Sequence, residues 1–203
     1  MAKVNTKNNT TYRLVLSAIM VALSVLLSFI SVYQLPMGGS ITLFSMVPIV
    51  IVSWLFGVPW GLLTGFVCSL IFMMVGFSNF GYVSGMLSYV ILVLADYVVP
   101  FTMIGLGGIF KNKFGGKSLL EIGVGAFMVG VIRFICHFIS GITIWGAFAS
   151  DDTMSAIVAY SATYNGSYML PETILTVIGA VLIAKFLFPR LDENGMIKNG
   201  KKA

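Results

Sequence analysis

A chain of 203 residues with 58% hydrophobic side chains, only 9% charged ones and a mean hydropathy of +0.99 lies outside the range of water-soluble domains, where about a quarter of residues are charged. This composition excludes the soluble enzyme classes and points to an all-α integral membrane protein. The net charge of +5, from 12 Lys and Arg against 7 Asp and Glu, gathers at the two ends and in one loop, where it governs orientation and gives no reason to expect nucleic-acid binding.

A helix needs about 20 apolar residues to cross the hydrocarbon core, and the hydropathy pattern predicts six spans, at about 12–33, 41–56, 60–77, 85–110, 119–148 and 164–188. The first is too long for a signal-peptide core and has no small-residue cleavage site, so it is expected in the mature protein. Gly57-Val58-Pro59 separates the second span from the third, and Ser78 to Ser84 the third from the fourth. Lys3, Lys7 and Arg13 precede the first span. Lys111, Lys113 and Lys117 separate the fourth from the fifth, and Lys185, Arg190, Lys198, Lys201 and Lys202 close the chain. With six crossings all three groups fall on one side, which the positive-inside rule makes cytoplasmic, as it does both termini. The loops 34–40, 78–84 and 149–163 then face outward and carry no Lys or Arg. With no linker of any length, residues 1–203 read as a single transmembrane domain.

Gly57, Gly61 and Gly65, and Gly81 with Gly85, follow the small-xxx-small spacing of close helix packing. Ala18 and Ala22 repeat it in the first span, where it serves either packing or docking to another membrane subunit. Cys68 and Cys136 fall inside apolar stretches and read as packing residues, with no metal site or disulfide framework.

Ionisable groups in hydrocarbon are costly and usually face a cavity or a partner. Four interrupt the spans: Asp96, Arg133, His137 and Glu172. Asp96 is the only charged residue between Ser40 and Phe110, and lies roughly 16 Å below the outer end of its span. His137 and Trp145 share a face of the fifth span with Gly141 leaving space between them, and Tyr164, Tyr168 and Glu172 recur every four residues on the sixth, with Asn165 nearby. Arg133, one turn deeper than His137, forms a floor. Together these residues describe a pocket open to the outside with two carboxylates, an imidazole and several aromatic rings. Such a pocket suits a planar cationic or amine-bearing ligand, because ring faces attract positive charge and a carboxylate accepts N–H donors. Bland alternatives stand at each position. Asp96 and Arg133 can form a structural ion pair, His137 can be a satisfied core histidine, and Trp145, Tyr160 and Tyr164 can belong to an interfacial aromatic belt. Glu172 can serve the backbone freed by Pro171, while Asp151 and Asp152 read as solvated loop residues. There is no phosphate-binding glycine loop, so no ATP hydrolysis by that route, and no nucleophile–base pair, so no enzyme activity or cofactor is expected. A channel or a purely structural membrane protein is the competing class, and predicts no saturable binding.

Four stretches carry a resemblance: 39–48 (GSITLFSMVP), 95–110 (ADYVVPF leading to GLGGIF), His137 to Gly141 with Trp145, and 160–172 (YSATYNGSYMLPE). Over most of the chain the sequence resembles the substrate-binding membrane subunits of energy-coupling factor (ECF) vitamin transporters, specifically the thiamine-specific type. The resemblance implies a six-helix subunit of the cell membrane that captures thiamine from outside. It also implies two kinds of partner, an ECF transmembrane coupling subunit and two ATPase subunits. It makes Asp96, followed by Tyr97, the acceptor for the aminopyrimidine, and His137 and Trp145 the ring-contacting pair. Tyr160 and Asn165, with Tyr164 beside them, close over the ligand, and Ala18 and Ala22 dock to the coupling subunit. Two departures are visible. The stretch 85–94 lacks the Pro-x-Gln element of many relatives, leaving Tyr82 and Tyr89 as candidate aromatic contacts. The loop 33–39 has no tryptophan, leaving Tyr33 as its aromatic residue. A thiamine precursor or another vitamin is the alternative ligand.

Overall fold

The computed structural model describes residues 10–193; Lys3, Lys7, Lys198, Lys201 and Lys202, on which part of the predicted orientation rests, lie outside them. In chain order the elements are α1 (Thr10–Ser28), a hairpin of β1 (Ser31–Gln34) and β2 (Ser40–Thr42), α2 (Val47–Phe56), α3 (Val58–Val75), α4 (Met86–Gly108), α5 (Ser118–Thr143) and α6 (Met154–Glu193). Five of the six helices, all but α2, are long and apolar enough to cross a membrane.

The second predicted span is the main correction. Its helical part, α2, has 10 residues and is about 15 Å long, half of what a crossing needs. Residues 40–42 have instead joined an antiparallel hairpin with residues 31–34, which also shortens the first predicted span at Ser28. The break has two local causes. Phe44 adopts a left-handed backbone at φ 64°, which a helix cannot contain, and Pro48 sits in the first turn of α2, where its missing N–H costs nothing. Non-helical backbone is tolerated at membrane depth only when protein covers it, and Thr42, Ser45, Met46 and Val47 are all buried. The α2 helix itself is enclosed almost completely, with Ile49, Val50, Val52 and Ser53 at 0% exposure.

Gly57 ends α2 and starts α3 at φ 93°, a conformation open to glycine and few others. Gly61 and Gly65 then bring α3 against α4. A Cβ on Gly61 would lie 2.6 Å from the Gly105 carbonyl oxygen, and one on Gly65 2.7 Å from that of Thr102. Ser53 bridges the same region, its hydroxyl donating to the Gly105 carbonyl (2.5 Å) and accepting the Gly108 N–H (3.0 Å). The packing reading thus applies to Gly61 and Gly65, whereas Gly57 is a turn. Gly81 and Gly85 have no neighbours within 4 Å of an added Cβ, so their spacing reflects no helix contact. The G61A substitution is expected to separate α3 from α4 and cost about 1–3 kcal/mol, visible as a lowered Tm; an unchanged Tm would show that the backbone contact is dispensable.

The last helix is the second correction. It has 40 residues, a length of about 60 Å, and starts at Met154, so the expected outer loop 149–163 shrinks to 149–153. Thr153 is the cap: its Oγ1 accepts the Ala156 N–H at 3.3 Å, as Ser and Thr do at helix starts. Asp151 accepts both the backbone N–H (2.8 Å) and the hydroxyl of Thr153, and these bonds hold its exposed carboxyl below the usual carboxylate range. At the opposite end of the bundle, buried Glu121 accepts the N–H groups of Asn112 and Phe114, each at 2.9 Å, folding the α4–α5 loop back. Lys111 there donates to the Trp54 carbonyl at 2.6 Å. On α1, Ser17 accepts the Trp60 indole N–H at 2.8 Å, while Ala18 and Ala22 lie on the exposed side with Leu14, Ile19 and Leu26.

Candidate functional site

Asp96 stands in the middle of α4 where the helix widens to π geometry over Leu92–Val98. A π segment leaves one residue out of step with the α-helical ladder and recurs at functional sites; here it turns a carboxylate toward α5. Asp96 Oδ1 lies 3.1 Å from His137 Nδ1, and Oδ2 accepts the Trp145 indole N–H at 2.8 Å. Each carboxylate oxygen has two acceptor positions, so these bonds orient the group and leave capacity for further donors. No salt bridge joins Asp96 to Arg133 among the described residues, and the structural ion-pair alternative does not hold. Trp145 reaches Asp96 by a different route from the one its spacing suggests. The α5 helix stops at Thr143, and Trp145 opens a 3₁₀ turn, Trp145–Phe148. Gly141 lines the cavity as its spacing suggests and also lets α6 come close, since a Cβ there would lie 2.9 Å from Asn165 Nδ2.

These groups line a cavity of about 310 Å³ beneath the hairpin. Tyr160, Tyr164, Asn165, Tyr168 and Glu172 form its α6 wall, and Met37, Gly38 and Gly39 its cover. Tyr164 and Tyr160 fasten that cover. The Tyr164 hydroxyl donates to the Pro36 carbonyl and accepts the Gly39 N–H (3.2 Å), and the Tyr160 hydroxyl reaches Met37 Sδ at 3.6 Å. The rings of Tyr160 and Tyr164 stack at 5.8 Å, and Tyr168 meets Tyr164 edge-on.

Two predicted residues face the cavity while their polar atoms are engaged elsewhere. Asn165 donates to the His137 carbonyl (3.1 Å) and the Ser161 carbonyl (3.0 Å), and accepts the Tyr168 hydroxyl (2.9 Å); it fastens α5 to α6 behind the imidazole. Tyr97 donates to the Gly76 carbonyl (2.8 Å) and accepts from Asn79 Nδ2 (2.9 Å), tying the α3–α4 connection to α4. The Glu172 carboxylate turns to the end of the hairpin rather than to the backbone near Pro171. Its Oε2 accepts the Thr42 N–H (2.6 Å), and its Oε1 the hydroxyls of Thr42 (2.6 Å) and Ser45 (3.2 Å). Of the aromatic candidates, Tyr82 packs beside Trp145 with centroids 6.1 Å apart, Tyr89 packs on Phe80, and Tyr33 is exposed; none lines the cavity. The hairpin contributes Gln34 and Met37 instead. Sequence reasoning also missed Phe72 and Phe101, which line the cavity and stack on each other at 4.3 Å; as apolar residues in apolar helices they carry no signal of their own.

A helical membrane bundle that holds a carboxylate, an imidazole and stacked phenol rings under a hairpin has the chemistry to take a small nitrogenous solute. Comparison with known proteins narrows that class. The family model described as "Thiamine transporter protein" (Thia_YuaJ) matches residues 14–191, and the chain belongs to this family, whose members are transporters and not enzymes. It is 32% identical over 181 residues to the thiamine transporter ThiT of Bacillus subtilis (strain 168), covering 84% of this chain and 89% of the relative. It is likewise 32% identical over 111 residues to ThiT of Lacticaseibacillus paracasei, covering 49% and 54%. A solved structure of ThiT from Listeria monocytogenes superposes with a TM-score of 0.71 at 22% identity, covering 91% of this chain and 98% of that one; this establishes the shared fold. The protein is a multi-pass protein of the cell membrane.

Proposed function

We propose that this chain is the thiamine-binding subunit of an ECF-type transporter, capturing thiamine from outside for uptake driven by an ECF transmembrane coupling subunit and two ATPase subunits. The observation that carries the reading is Asp96 held between His137 and Trp145 in a cavity walled by tyrosines. The carboxylate takes the exocyclic amine of an aminopyrimidine, because a charged acceptor in a water-poor site forms short, strong bonds to N–H donors. The aromatic faces of Trp145, Tyr160 and Tyr164 attract the thiazolium cation by its charge. Trp145 donates to this carboxylate and His137 sits against its other oxygen, and the two keep it from rotating, so less ordering is needed on binding. Asn165 and Tyr97 act through His137 and α4 as positioning residues, and Ala18 and Ala22 on the exposed side of α1 are the docking surface for the coupling subunit. In this arrangement residues 1–203 form one membrane domain, the second of six crossings is made by α2 together with the buried non-helical backbone ahead of it, and both termini are cytoplasmic.

The test is titration of detergent-purified protein with thiamine, read by tryptophan fluorescence. Saturable one-to-one quenching is expected, with most of the amplitude lost in W145F because the quenched ring is then absent. Competition with the isolated aminopyrimidine and with other vitamins identifies the ligand. A flat titration from folded protein would overturn the thiamine assignment.

A further inference from the structure

Arg133 is a charged group of the cavity that the thiamine reading leaves without a task. It is 7% exposed and lines the cavity one helical turn below His137, about 6 Å deeper. Its Nε has no hydrogen-bond partner among the described residues. Its Nη1 meets only the thioether of Met46, at 2.7 Å, a weak acceptor for a guanidinium. Its Cζ lies 4.5 Å from the centroid of Phe101. The obvious counter-ion, Glu172, spends its oxygens on Thr42 and Ser45, and among the described residues Arg133 makes no salt bridge. A buried arginine normally has its donors paired, and burying one with a donor unmet costs on the order of 1–3 kcal/mol.

We propose that Arg133 is a specificity-determining residue of the cavity, donating from its floor to a neutral acceptor atom of the ligand, namely a ring nitrogen of the aminopyrimidine; this deepens the thiamine assignment and rests on it. The chemistry favours a neutral acceptor over an anion, because the Asp96 and Glu172 carboxylates line the same cavity and would repel a phosphate or carboxylate. An aminopyrimidine presents both an N–H donor edge and ring-nitrogen lone pairs. Asp96 matches the first and Arg133 the second, and the two stand on adjoining helices at depths about one turn apart. A cavity built this way rejects an arene that carries the amine without the ring nitrogens, since Arg133 would then be left unmet by its ligand.

Two probes separate this role from a structural one. One is thiamine. The other is its aminobenzyl analogue, in which both pyrimidine nitrogens are replaced by C–H while the amine and the thiazolium are kept. The protein as it stands is expected to prefer thiamine by about 10- to 100-fold, the range of one charge-assisted hydrogen bond, and R133M to reduce that preference to within about threefold. A structural role would weaken both ligands equally and leave the preference intact, which overturns the inference while leaving the thiamine assignment standing. If R133M does not fold, R133L carries the comparison, since it too removes every donor, and an undiminished preference in R133L would likewise overturn the proposal. Absence of thiamine binding by the unsubstituted protein overturns both readings together.

Discussion

Replacing Asp96 by Ala is expected to weaken thiamine binding by about 100-fold or more, because one substitution removes the charged acceptor proposed for the ligand and releases the two side chains bonded to it. Hydrogen bonds to a charged group contribute about 1.5–3 kcal/mol each, and Trp145 Nε1 and His137 Nδ1 would both lose their partner. D96N separates the contributions: the amide oxygen still accepts one N–H, but the amide nitrogen cannot accept the other, so an intermediate loss of about tenfold is expected. Calorimetric titration of the two variants beside the unsubstituted protein makes the comparison. An affinity for thiamine within about threefold of the original in D96A would remove Asp96 from the site.

The second large effect belongs to Glu172 and is expected in stability and dissociation rate together. In E172A the Thr42 N–H and the Thr42 and Ser45 hydroxyls lose an acceptor inside the bundle. Each unsatisfied buried group costs about 1–3 kcal/mol, so a loss on the order of 3 kcal/mol or more is expected, read as a lowered Tm. The same bonds set the base of the hairpin whose tip, Met37 to Gly39, covers the cavity, so ligand should also leave faster. E172Q keeps one carbonyl oxygen for the Thr42 N–H and should lose less on both counts. Stopped-flow displacement of bound thiamine gives the rate. If E172A melts and releases ligand like the parent, the contacts of Tyr160 and Tyr164 hold the hairpin without Glu172.

The parts of this architecture that could be read in the sequence are those where polarity contradicts its surroundings. Asp96, His137 and Arg133 stand out because hydrocarbon penalises them, and the structure brings all three to one cavity. The spans of α3, α4 and α5 were legible for the same reason in reverse, as apolar runs bounded by Gly, Pro or Lys. The hairpin was not. Ser40 to Thr42 lies inside an apolar run that hydropathy cannot tell from helix, and nothing about Phe44 announces a left-handed backbone. The start of α6 was missed because hydropathy marks where a helix leaves lipid, not where it ends. The Asp151-Asp152-Thr153 cap was the available signal. Asn165 and Tyr97 read as cavity residues and do face it, but only coordinates reveal that their hydrogen bonds run to Ser161, the His137 carbonyl and Gly76.

The bond from Thr42 to Glu172 also has a consequence for how the protein is made. It joins positions 130 residues apart, and the tip contacts of Tyr164 span a similar separation. During synthesis, α1 through α4 emerge and insert long before residue 172 exists. Throughout that interval the strand backbone around Thr42 has no carboxylate to receive it, and the cavity has no α6 wall. Contacts of such long sequence separation form late and slowly. Ligand binding is therefore acquired in the final step of biogenesis, when the last helix threads home and locks the hairpin that the chain produced near its beginning.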